Sequence, residues 1–87
     1  MPIYMDTHDE TTELPAELRK KVTDRIRNGQ KDDFGVIDRG IIIDREGRKM
    51  HCVLDAPDVD AVAQHHKALN VPIERETIHQ ADVIFKS

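Results

Sequence analysis

Two stretches of this chain carry side chains able to bind a metal ion or move a proton. "PIYMDTH" at the start holds Met5, Asp6 and His8, and "GRKMHCVLDAPD" further on sets His51 beside Cys52, the only cysteine. "AVAQHHKA" follows with His65 and His66. Imidazole with carboxylate suits zinc, nickel, copper or iron, and adding thiolate or thioether shifts the preference toward softer ions. Which of these groups can meet depends on the elements that carry them.

"PIYMDTH" alternates Ile3, Met5 and Thr7 with Tyr4, Asp6 and His8, the period of a half-buried strand. "AELRKKVTDRIRNG" repeats Leu18, Val22 and Ile26 at helical spacing. Pro15 suits its first turn, Gly29 its end, and Glu13, Glu17, Arg25 and Arg27 complement its dipole. The acidic "THDETTE" stretch before it predicts an exposed loop. Residues 34–55 are rich in β-branched types around "DREGR", predicting a hairpin of 34–44 with 48–55 and a positive φ at Gly47. Gly40 marks a bulge or a close backbone approach. Asp58 is a helix N-cap, and Val59, Val62, Ala63, His66 and Asn70 recur at helical spacing until Asn70 and Pro72 end the helix. "ERETIHQADVIF" reads as a fourth strand.

The order β-α-β-β-α-β is that of an α+β ferredoxin-like sandwich, expected here as one domain over residues 1–87. Its antiparallel sheet takes the spatial order four, one, three, two, with both helices on one face. The other face stays open, and an open face with apolar content predicts a homodimer.

Adjacent strand residues point to opposite faces, so His51 and Cys52 diverge. The apolar set Met50, Cys52 and Leu54 belongs under the helices, leaving His51, Val53 and Asp55 outside. By the same rule Ile3 and Met5 point inward, and Tyr4, Asp6 and His8 outward, with His79 on the open side. Two constellations follow. Tyr4, Asp6, His8, His51 and His79 share the open face, as a metal site, a polar dimer contact or an acid–base site. Cys52, His66 and Met5 meet between sheet and second helix. Each also has a plain structural reading: Cys52 as a small core residue, His66 as a hydrogen-bonded core histidine, and His65 as a solvated flank residue.

Composition narrows the function. A net charge of −4 argues against general attraction to nucleic acid or anionic membranes. Tyr4, Phe34 and Phe85 are too few rings for a base-stacking platform. One cysteine allows no intramolecular disulfide, no apolar run has signal-peptide or membrane-span length, and the expected location is the cytoplasm. GxGxxG, P-loop, paired CxxC and HExxH motifs are absent. No nucleophile–base pair can be assigned, which favours a non-enzyme.

"PIYMDTHD", the "FGV" opening the second strand and "HCVLDAPDVDAVAQHHKA" together resemble a small bacterial domain-of-unknown-function family with a nickel-binding branch. The resemblance implies a ferredoxin-like fold, a homodimer and, for some members, metal binding. Tyr4, Met5, Asp6 and His8 match its first-strand motif; Cys52, Ala56, Pro57 and Asp58 match the motif from strand three to helix two; His66 matches its helix-two histidine. The chain departs from the pattern at Asp24 and Asn70, where histidines are common, at Val71 in place of glycine, and at Ile41 to Ile43, where an aromatic is usual.

The expected ligands for nickel or another divalent transition metal are therefore Cys52 and His66, with Met5 or Asp6 nearby and His8 as an outer candidate. The alternatives are a dimeric α+β-barrel enzyme, monooxygenase- or isomerase-like, using His8, His51 and Asp6 under the open face, and a ligand-free regulatory or interaction module.

Overall fold

The structure, a computed structural model, describes residues 1–9 and 14–84. The acidic loop expected after the first strand, with Glu13, and the end of the last strand at Phe85 lie largely or wholly outside those residues. Seven elements follow one another: β1 (Ile3–Asp9), α1 (Ala16–Asn28), β2 (Ile37–Asp44), β3 (Lys49–Asp55), α2 (Val59–Ala68), a 3-10 turn (Arg75–Thr77) and β4 (His79–Ala81). The sheet runs β2-β3-β1-β4 with every pairing antiparallel, so the chain has the ferredoxin-like α+β layout expected from its element order.

Local chemistry sets the boundaries. Gly29 stops α1 in the left-handed conformation, and its N–H reaches Arg25 O. Asp58 caps α2, its Oδ1 accepting from Ala61 N at 2.8 Å, a contact worth about 1 kcal/mol. Asn70, with φ 57°, turns the chain out of α2, and Val71 N closes onto His66 O. In the β2–β3 turn the positive φ falls at Arg48, not at Gly47. A Cβ at Gly47 would meet the exposed Asp44 carboxylate, to which its own N–H donates, and that side chain would have to turn aside.

Asp32 organises the connection into β2. Its Oδ1 accepts from Phe34 N and Val36 N, and Gly35 at φ 83° completes the turn. Within β2 the pairing slips between Asp38 and Gly40, so Arg39 bulges out and lays its Nε on Asp55 Oδ1 at 2.8 Å. Asp38 then pairs with Leu54 and Ile41 with Cys52, and both lie on the helix side of the sheet. That is the bulge expected at Gly40.

Val36, Leu54, Ala56 and Val62 form the fully enclosed centre of the core, with Tyr4, Ala61 and Ile78 around them. From α1 only Val22 is buried, while Leu18 and Ile26 are half-buried. Among the described residues no helix is long and apolar enough to cross a membrane.

Two expectations about orientation fail. Tyr4, Asp6 and His8 are the buried set of β1 and face the helices, whereas Ile3 and Met5 lie on the open side. The apolar-inward rule gave the opposite phase because it ranks Ile3 and Met5 above Asp6 and His8. Here the buried polar groups of β1 gather with one another under the helices. β4 is also shorter than the stretch read as a strand, because Thr77 folds back, its N–H and its hydroxyl both donating to Glu74 O.

Candidate metal centre

Turning β1 over merges the two constellations. Tyr4 pairs with Leu54, Asp6 with Cys52 and His8 with Met50, so the carboxylate and the thiol are cross-strand neighbours on one face. Above them α2 supplies His66. The ligand atoms of Asp6, His8, Cys52 and His66 all lie within 4.8 Å of one another. Met5 is on the opposite face, beside Val53 and His79, and is not part of this group.

The histidines are held in one orientation from behind. His66 Nδ1 donates to Val62 O at 2.8 Å, and His8 Nδ1 donates to Pro72 O at 3.1 Å. A carbonyl can only accept, so each Nδ1 bears the proton and a neutral ring leaves Nε2 as a lone pair. Both Nε2 atoms face Asp6: His8 Nε2 lies 2.5 Å from Oδ1, and His66 Nε2 lies 3.3 Å from Oδ2. The rings stack with centroids 5.2 Å apart. Asp6 is fully buried.

Lone pairs facing lone pairs in a buried site demand a proton or a cation between them. Without a metal, protons serve. Burial alone would raise the Asp6 pKa, but hydrogen bonds and charge from His66 and His8 outweigh it and hold the group at about 2. The Cys52 thiol is pushed far above its usual range, first by burial and then by the Asp6 and Asp38 charges. It is therefore an unreactive thiol unless a cation arrives.

A second buried polar group, missed in the sequence, stands beside the first. His65 is 3% exposed, not solvated as expected. Its Nδ1 lies 2.5 Å from Asp32 Oδ2 and its Nε2 3.0 Å from Asp38 Oδ1, so the ring ties α2 to the turn before β2 and to β2 itself. Burial opposes the charged ring, but the bonds and charges of Asp38 and then Asp32 prevail, raising the His65 pKa. Its ring meets that of His66 edge-on at 5.5 Å.

The remaining open-face candidates stay apart from this centre. His51 bonds Thr7 Oγ1 at 3.0 Å, and His79 is exposed on β4 opposite Met5. His8 and Asp6 lie under the helices and His51 on the other face, so the acid–base trio expected of an enzyme does not converge.

Fold and site together define a ferredoxin-like α+β domain with an Asp-His-Cys-His group between sheet and helix, buried except for the half-buried Cys52. Among solved structures, the chain is similar to the crystal structure of SCO4226 from Streptomyces coelicolor A3(2). The TM-score is 0.66 at 16% identity, over 95% of this chain and 99% of that one, a likeness of fold alone. No family model and no curated protein matches.

Proposed function

We propose that this chain binds a divalent transition-metal ion through Asp6, His8, Cys52 and His66. The observation that carries the reading is the pair of Nε2 lone pairs, fixed by Pro72 O and Val62 O, aimed at a fully buried carboxylate. Histidine ligands ordinarily donate their other ring N–H to such a carbonyl or to a carboxylate. Donors around a four-coordinate ion lie about 3.3–3.8 Å apart, given bonds of 2.0–2.3 Å. The His66–Asp6 distance of 3.3 Å already suits that spacing, and the shorter His8–Asp6 contact opens by about 1 Å when an ion replaces a proton. One thiolate, two imidazoles and one carboxylate suit zinc, cobalt or nickel. Nickel is the first ion to test, because the resemblance read from the sequence implies nickel binding for some members. The single thiol suits the reducing cytoplasm.

Calorimetric titration of the purified chain with nickel and with zinc is expected to give one site per chain. Repeating it in buffers of different ionisation heat is expected to show proton release, because the Cys52 thiol must ionise to coordinate. Affinity falls as pH falls, since protons compete for the thiolate. A flat titration with both ions at tens of micromolar protein refutes the reading.

We also keep the homodimer, formed by two copies of this chain through the open face. Ile3, Met5 and Val53 are half-buried there, Ile42 is 56% exposed, and a groove of about 580 Å³ runs past Ile37 and Gly40. An Ile42→Glu variant is expected to sediment as a monomer where the native chain is a dimer. A native chain that itself sediments as a monomer at the protein concentration of the calorimetric titration removes the idea.

A further inference from the structure

A cleft of about 390 Å³ opens where the ends of β1 and β3 meet the segment after α2. His8 lines it, whereas Asp6, Cys52 and His66 do not, so His8 is the metal-centre residue nearest this opening. Its other wall includes Pro72, whose carbonyl holds His8 Nδ1, and Thr77, whose hydroxyl donates to Glu74 O. The mouth is charged. Lys49 Nζ meets Asp9 Oδ1 at 2.5 Å across the register pair that closes the β1–β3 ladder, and exposed Glu74 faces the same space.

We propose that this cleft is the docking site and passage for the hydrated divalent cation, which reaches the buried donors by way of His8. The inference rests on the metal-binding reading and adds where the ion arrives and what slows it. A hydrated cation is favoured by carboxylate and hydroxyl oxygens, which Asp9, Glu74 and Thr77 supply, and disfavoured by the Lys49 ammonium. The Pro72 carbonyl belongs both to the wall and to the support of His8. Displacement of the 72–77 segment therefore widens the passage and frees the His8 ring in one motion. Exchange of the ion is limited by that motion and tuned by the charges at the mouth.

The test is stopped-flow uptake of nickel ion alone, followed by thiolate-to-nickel absorption, with release driven by excess chelator. Lys49→Glu and Glu74→Lys change exposed side chains by two charge units in opposite senses. At physiological ionic strength each is expected to shift the association rate about threefold, upward for Lys49→Glu and downward for Glu74→Lys. Lys20→Glu makes the same charge change on α1 and is expected to do far less. Thr77→Trp, which fills the cleft, is expected to slow uptake and release together by about tenfold, leaving their ratio unchanged. Native chain that takes up no nickel defeats the metal-binding reading, and this inference with it. Native chain that takes up nickel at a rate unaltered by Lys49→Glu, Glu74→Lys and Thr77→Trp, or altered equally by Lys20→Glu, overturns the passage alone.

Discussion

Replacing His66 by alanine is expected to weaken metal binding at least ~100-fold, more than the ~10–100-fold that loss of an outer partner costs. His66 is a donor and also half of the scaffold: its Nε2 faces Asp6 Oδ2, and its ring stacks on His8. Cys52→Ala is expected to weaken binding strongly too and, unlike His66→Ala, to abolish the thiol's share of the proton release. A Cys52→Ala, His66→Ala double variant leaves Asp6 and His8 as the only donors of the four and is expected to bind no ion at micromolar protein. Met5→Leu, on the other face of β1, is expected to leave affinity unchanged. Calorimetry on the four variants checks this. Unaltered binding in the double variant, or a loss in Met5→Leu equal to that in His66→Ala, places the ion elsewhere.

His65→Ala is expected to destabilise the fold by about 3 kcal/mol, because it strips the shared cation from two carboxylates in a mostly buried setting. The low end of the usual range applies, since Asp32 stands at the edge of a cleft and regains water once the ring is gone. For a chain of this size that is a fall in melting temperature of roughly 12–24 °C. The pH dependence follows from the raised pKa. His65 contributes fully below its unfolded value, near 6.5, and the contribution fades as pH rises through the higher folded value. Asp6 works in the opposite sense: its contribution is present above 3.8 and is lost as pH falls toward 2. Chemical denaturation of the metal-free chain between pH 5 and 9 checks the first. A His65→Ala variant as stable as the native chain, or a loss that grows with pH, contradicts the assignment of a charged ring.

The element order and sheet order were legible because each rests on strong periodic or terminal signals: Leu18, Val22 and Ile26 for α1, Asp58 for the start of α2, and Gly29 and Asn70 for the ends. The phase of β3 was legible too, since Met50, Cys52 and Leu54 are plainly the more apolar set. β1 was not. Its inner face is Tyr4, Asp6 and His8, and alternation reports apolar character rather than burial. A signal did exist: once His66 is read as facing inward, a buried imidazole calls for a carboxylate, and Asp6 lies two residues from His8 on the first strand. His65 carried no such hint. Its partners Asp32 and Asp38 are 33 and 27 positions away, and only the folded chain brings them to one ring.

The irregularity at Arg39 gives the ribbon one residue of slack that exposure alone would not reveal. Asp38 and Ile41 are three positions apart yet look the same way, which regular alternation forbids. Excising Arg39 would leave those two side chains two positions apart, the spacing at which an unbroken strand keeps both on one face. Asp38 would go on neutralising its imidazole, and Ile41 would stay beside the sulfur. Only the Arg39 contact with Asp55 would be lost, so a deletion there spares both buried clusters.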